Sequence, residues 1–299
     1  MNGFYKFLEQ LIPATVSIHA LIKRDHPTAN LLGVERSGSG TLIDGDGHIL
    51  TVGYVVLGAE ELSVTLQRGE EVPARVVYID HESGLAVVQA DVRGTDRIPL
   101  GESSELAPGQ TGFLIAATDS TQRRVTEGVV TGVEPFDAYW EYMLERAVLT
   151  TGENPGLGGG AFVTLDGVMT GIVSLNLGGI KDATMIIPVE YFLRHRDDIL
   201  AYGQVRNRIA RAWIGLYPMP SPRGLIVFGA IEDGPADVAG IRPGDLIVSL
   251  DDQEVGDRAD LYRRLWQHEA GEAVILMVMR EGRRHVMPIS SMDRAIFYA

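Results

Sequence analysis

The stretch GENPGLGGGAFVTL, Gly152–Leu165, decides how the rest of the chain is read. Four glycines in five residues, Gly156 and Gly158 to Gly160, make a loop that offers backbone N–H donors, and Ala161 to Val163 then start a β-prone run. Such a loop suits an oxyanion, which backbone N–H groups stabilise. Between Gly152 and Val163, however, no hydroxyl, thiol or amine is present to attack a carbonyl. A phosphate cradle is the other reading of a glycine-rich loop, but the Lys-Ser/Thr ending of a phosphate-binding loop and the strand-turn-helix setting of a dinucleotide site are both missing.

Working outward, short β-prone runs dominate: Thr15 to Ile22, Ser37 to Leu66 with Gly/Asp turns at Asp44 to Gly47, Val72 to Ile79, Leu85 to Ala90, Thr111 to Ala116, Val125 to Val133, Ala161 to Leu165 and Val168 to Ser174. Many short strands with little helix between them predict a mostly β chain with an antiparallel barrel or sandwich. Phe4, Phe7, Leu8 and Leu11 stand at helical spacing before Pro13, and Pro188 to Leu200 reads as a helix closing the first domain.

Length and composition frame this reading. A chain of 299 residues predicts two domains. Apolar residues at 45% and charged residues at 22% match an ordinary globular protein, and no apolar run reaches the length of a membrane span. Twenty-six basic against 40 acidic residues give a net charge of −14, which repels phosphate backbones, so nucleic acid is not an expected partner. The absence of cysteine excludes disulfides, thiolate nucleophiles and cysteine metal sites. Asp44, Asp46, Glu60 and Glu61 show no metal-ligand spacing, and neither metal nor cofactor is expected. The first 21 residues have no apolar segment ending in a small-residue cleavage site, so no signal peptide is expected. The compartment follows as cytoplasmic for a full-length chain, and as periplasmic or exported where a leader has been removed.

Asn154-Pro155-Gly156-Leu157-Gly158-Gly159-Gly160-Ala161-Phe162-Val163 resembles the N-P-G-N-S-G-G-P-L-V signature of the HtrA/Deg family of trypsin-like serine proteases. Gly158 stands where that family has its nucleophile. Ser37 to Thr51, SGSGTLIDGDGHILT, is similar to the family's first hairpin; where N-N-H-V-V then follows, this chain has Val52-Gly53-Tyr54-Val55-Val56, placing Tyr54 at the catalytic histidine. Asp80 to Val87 resembles D-x-x-x-D-L-A-V, with Gly84 in place of the orienting aspartate. The resemblance implies a trypsin-like double β-barrel over residues 1–200, a degenerate triad at Tyr54, Gly84 and Gly158, and a vestigial oxyanion loop at Gly156, Leu157 and Gly158. It also implies a homo-oligomer, a trimer in particular, with Phe4, Tyr5 and Phe7 as aromatics suited to the contact.

After a linker at 201–210, Trp213-Ile214-Gly215-Leu216 and Gly234-Pro235-Ala236-Asp237-Val238-Ala239-Gly240-Ile241-Arg242-Pro243-Gly244-Asp245-Leu246-Ile247 resemble a PDZ domain of the HtrA type, expected over 211–291 with a tail at 292–299. A helix is predicted from Asp257, as N-cap, to Ala270, with Gly271 as its stop. The resemblance implies that Trp213, Ile214, Gly215 and Leu216 form a loop whose N–H groups hold a peptide's C-terminal carboxylate, the peptide adding as a strand. Pro218 and Pro220 remove two donors from one edge of the strand that follows. The apolar end, Ile296 to Ala299, is read either as a ligand for a neighbouring copy or as a packed tail.

The function expected from these features is a non-catalytic protease homologue that binds protein or peptide. Two alternatives are kept: a serine endopeptidase with a site rebuilt from His48, His81, Ser83, Thr150, Thr151 or Ser174, and a structural subunit of an oligomeric assembly. His48, at a hairpin tip, is expected at the surface.

Overall fold

A computed structural model describes residues 9, 11–92, 96–178 and 182–299. Phe4, Tyr5 and Phe7, and most of the helix expected over 4–11, lie outside the described residues. The chain forms two compact units, the first holding the described residues up to Pro135 together with Glu145–Arg206, the second Phe136–Leu144 with Asn207–Ala299. This division is not the contiguous one read from sequence.

In the first unit β1 (Thr15–Ile22), β2 (Glu35–Leu42), β3 (His48–Val52), β4 (Ala59–Thr65), β5 (Glu71–Ile79) and β6 (Leu85–Ala90) close into a barrel of order β1-β2-β3-β6-β5-β4. A second barrel joins β7 (Thr111–Ala117), β8 (Arg123–Ala138), β9 (Tyr142–Thr150), β10 (Ala161–Thr164), β11 (Met169–Asn176) and β12 (Thr184–Pro188) in the order β10-β11-β12-β9-β8-β7. Closure leaves no unpaired edge. Val16, Ile18, Leu42, Ile49 and Val88 share one face of the first barrel and fill its interior. Leu114, Val130, Val148, Phe162, Val173 and Ile186 pack together in the second. Alternation of inward apolar residues along each strand is what the β-prone runs encode.

The helix expected over 188–200 is two short ones, Glu190–Leu193 and Arg196–Tyr202, with Pro188 ending β12 instead of opening a helix. The break falls at His195, whose φ of −126° leaves helical space.

The second unit is a sheet of β13 (Leu216–Ser221), β14 (Gly224–Ala230), β15 (Leu246–Leu250), β17 (Ala273–Arg280) and β18 (Arg283–Ser290) in that order, with β16 (Gln253–Glu254) beside β15. The helix Arg258–Leu265 packs Leu261, Tyr262 and Leu265 into its core. Asp257 caps that helix through its side chain, which accepts from Asp260 N. The helix stops at Leu265, short of Ala270, because the following turn is pulled away: Ala212 N donates to His268 O and Ala270 N to Ala210 O. In the Gly-Asp landmark, Asp245 is buried and accepts both Nε and a terminal nitrogen of Arg280 at 2.7 Å. The C-terminal segment is packed: Phe297 and Tyr298 lie against the Trp213 ring, with centroids 4.9 and 5.9 Å away.

The distal end of the β8–β9 hairpin, Phe136–Leu144, belongs to this second unit. Its Met143 is buried among Ala212, Ile214, Leu216 and Tyr262, so the hairpin's apolar content completes a core far along the chain.

Candidate functional site

Tyr54 sits in the single-turn helix Gly53–Val56 that follows β3. The turn is pinned from below by Arg36, a buried guanidinium that donates to Tyr54 O (2.9 Å), Leu57 O (3.1 Å) and Gly33 O (3.0 Å). Burial holds the Arg36 pKa below the ordinary arginine value. Gly84 closes the turn before β6, donating to Asp80 O and accepting from Gly53 N, each at 2.7–2.8 Å. Its φ of +78° is a conformation that L side chains rarely adopt.

The loop 156–160 is held by Ser39 of β2. Ser39 Oγ donates to Leu157 O (2.8 Å) and accepts from Ala117 N (2.9 Å), and Ser39 N donates to Gly158 O (2.7 Å). Leu157 N donates to Ala117 O (2.8 Å) and Gly156 N to Asn154 Oδ1 (3.2 Å), so two of the three expected oxyanion donors are committed within the fold.

Tyr54 fills the space above Gly158, and Gly84 is tied to the Tyr54 turn through the Gly53 N–H. A Cβ at position 158 would stand 2.0 Å from the Tyr54 hydroxyl oxygen and 3.3 Å from Ser174 O. That hydroxyl donates to Ser174 O at 3.2 Å. Tyr54 as a whole is 36% exposed, yet desolvation pushes its phenol pKa up to about 12. A neutral phenol whose proton is committed to a carbonyl is a poor general base at neutral pH.

Of the groups that a rebuilt site would recruit, Thr150, Thr151, Ser83 and His48 have local tasks. Thr150 Oγ1 donates to Val129 O, Thr151 Oγ1 accepts from Val129 N, and Ser83 Oγ donates to Asp80. His48 is not at the surface: it is 8% exposed, with Nδ1 2.7 Å from Asp44 Oδ2. The turn that suggested exposure folds its carboxylate back over the ring. His81 is half-buried.

In the second unit, Ile214, Gly215 and Leu216 turn their N–H groups toward one point, and a carboxylate already stands there. Glu141, at the tip of the β8–β9 hairpin, accepts from Ile214 N (3.2 Å to Oε1), Gly215 N (2.9 Å to Oε2) and Leu216 N (3.3 Å to Oε2). Glu141 is 2% exposed, and burial pushes its pKa up to about 7 against the opposing pull of Arg294 and the three N–H groups. Trp213 does not share in this loop; its N–H is spent on Met292 O and its ring on the C-terminal segment. β13 is the sheet's edge strand, the setting in which prolines such as Pro218 and Pro220 are tolerated. Arg36, Ser39 and Glu141 carry no sequence signal: each acts through backbone groups brought near it by folding.

Two family models match the chain, a trypsin-like peptidase domain over residues 38–172 and a PDZ domain over 205–289. A curated relative, the probable periplasmic serine endoprotease DegP-like of Ectopseudomonas mendocina, is 28% identical over 96% of this chain, which spans 61% of that relative's length. Among solved structures, the HtrA-type protease AlgW with decapeptide matches at 24% identity and a TM-score of 0.59, covering 97% of this chain and 98% of that one. The serine endoprotease from Yersinia pestis matches at 22% identity and a TM-score of 0.60, covering 97% of each. Among the described residues, no helix is long and apolar enough to cross a membrane.

Proposed function

The chain belongs to the HtrA-type family, with a trypsin-like peptidase domain followed by a PDZ domain, and within that family we propose that it is a pseudoprotease that acts by binding protein. The observation that carries this reading is the Tyr54 hydroxyl, 2.0 Å from where the first side-chain atom of residue 158 would stand. Acyl transfer in a trypsin-like site needs a nucleophile at that point, an imidazole to take its proton and a carboxylate to orient the imidazole. Here the nucleophile position is a glycine, the imidazole position is a phenol that holds its proton, and the carboxylate position is a glycine in a left-handed turn. The barrels are left as a scaffold, and the PDZ domain as a module for partner contact, consistent with PDZ folds binding peptide.

Fluorophosphonate labelling of the purified protein, read by intact mass and peptide mapping beside degradation of unfolded casein, tests this. The expected outcome is no adduct and no cleavage. A stoichiometric adduct on one serine or threonine, with matching proteolysis, would establish a rebuilt catalytic site instead.

A further inference from the structure

The carboxylate loop of the PDZ domain is filled by a carboxylate of the same chain, and the surroundings of Glu141 extend the likeness to a bound peptide. A peptide in such a domain lies between the strand after the loop and the neighbouring helix. The hairpin tip touches both walls. On the strand side, the Tyr139 ring meets Tyr217 of β13 edge-on at 5.7 Å. On the helix side, Tyr262 Oη donates to Ala138 O (2.7 Å) and accepts from Glu141 N (3.0 Å), while Asp137 pairs with Arg258. Arg294 donates to Glu141 O at 3.1 Å.

Two further features fit an internal occupant. Glu141 has a φ of +55°, which costs a non-glycine residue about 1–2 kcal/mol. A glycine or asparagine would serve the turn better, and the three N–H contacts require the glutamate side chain. The hairpin forms no ladder with β13, which pairs only with β14 among the described strands. An occupant that contributes a side-chain carboxylate and ring contacts does not need the ladder donors that Pro218 and Pro220 lack.

We infer that the hairpin Phe136–Leu144 is an intramolecular ligand of the PDZ domain, its Glu141 carboxylate replacing a peptide C-terminus, and that a free C-terminal carboxylate binds there only by displacing it. The loop is thus a gated site for protein C-termini. The apparent dissociation constant for such a peptide is the intrinsic one divided by the fraction of molecules whose hairpin is undocked.

The test uses the full chain and a fluorescein-labelled decapeptide ending in valine, as the free acid and as the C-terminal amide. By fluorescence anisotropy, Glu141→Ala is expected to bind the free acid at least about tenfold more tightly than the wild type, the amide binding neither. Glu141→Gln, whose amide oxygen still accepts from the loop, is expected to stay at the wild-type level. Hydrogen exchange of the wild type gives a readout that depends on no variant's folding. The amides of Ile214, Gly215 and Leu216 exchange slowly without peptide, and saturating free acid speeds exchange across 137–142 while those three stay slow. Equal affinity of wild type and Glu141→Ala, failure of the free acid to bind either, rapid exchange at the three amides without peptide, or binding with unchanged hairpin exchange would each overturn the inference. None of these readouts depends on whether the barrels cleave substrate, so the gated loop and the pseudoprotease reading fail separately.

Discussion

At the scale of single residues, Tyr54 and Gly158 form one steric unit. The Tyr54 hydroxyl occupies the space that a side chain at 158 would need, so each residue is tolerable because of the other. Gly158→Ser alone forces the ring or the loop to shift, and overpacking of this kind costs about 1–3 kcal/mol. With Tyr54→Ala in the same chain the hydroxyl is gone and the serine fits. Urea denaturation of the two single variants and the double is expected to give a coupling free energy of at least about 1 kcal/mol, the double being more stable than the sum predicts. Additive effects would mean that the two residues do not share this space. In sequence, Tyr54, Gly84 and Gly158 stand out because each has neighbours at the spacing of the resembled family with another residue in place of the reactive group. Their consequence does not: that a phenol lies over the glycine, and that Arg36 fixes the turn presenting it, follows from a distance and from backbone carbonyls that no motif records.

At the scale of elements, the β8–β9 hairpin shows where reading the chain stops. FDAYWEYML, Phe136–Leu144, carries neither a motif nor a clean alternation, and the N–H groups it serves are 73 to 75 residues away. Local patterns specify strands; they do not specify which carboxylate meets which amides. The helix Arg258–Leu265 was legible at its start, where Asp257 is a local cap, and not at its end, where the distant segment Ala210–Ala212 bonds to the following turn. The hairpin's chemistry gives a pH dependence. Folded, Glu141 holds its proton up to about 7; unfolded, it loses it near the ordinary 4.5. Unfolding between these values releases a proton, so the stabilisation is fully present below about 4.5 and is lost as pH rises through about 7. At full size the effect is on the order of 3 kcal/mol. Arg294, Tyr262, Tyr217, Tyr298, Asp137 and Arg258 are the other charged or titratable groups around it, and burial raises the pKa of the three tyrosines above the ordinary phenol value, away from this range. Glu141→Gln, neutral throughout, removes the dependence. Thermal unfolding at pH 5.5 and 8 is expected to show wild type losing stability across that range relative to Glu141→Gln; parallel profiles would remove Glu141 as the source.

At the scale of the whole molecule, the double barrel and the PDZ domain were readable from strand-length runs, turn residues and two motif sets, whereas the division of the chain was not, because Phe136–Leu144, distant in sequence, belongs to the second unit and adds Met143 to its core. On the pseudoprotease proposal, positions 54, 84 and 158 stand for base, orienter and nucleophile; the structure sets Tyr54 over Gly158 and bonds Gly84 to the turn that carries Tyr54. The change Tyr54→His, Gly84→Asp, Gly158→Ser restores the three groups and removes the steric block, since the hydroxyl that opposes a side chain at 158 leaves with Tyr54. Gly84→Asp carries a cost of about 1–2 kcal/mol at a positive φ, within what a stable domain absorbs. The oxyanion loop sets the limit. Gly156 N–H is committed to Asn154 Oδ1 and Leu157 N–H to Ala117 O, and loss of even one oxyanion donor lowers turnover by about 10²–10³. The triple variant is therefore expected to acquire a fluorophosphonate adduct at residue 158 and slow casein cleavage, far below that of an intact relative, while each single change stays inert. A triple variant with native circular dichroism and cooperative unfolding, yet unlabelled, would mean that the barrels no longer align base and nucleophile, because the oxyanion defect slows acylation and does not abolish it.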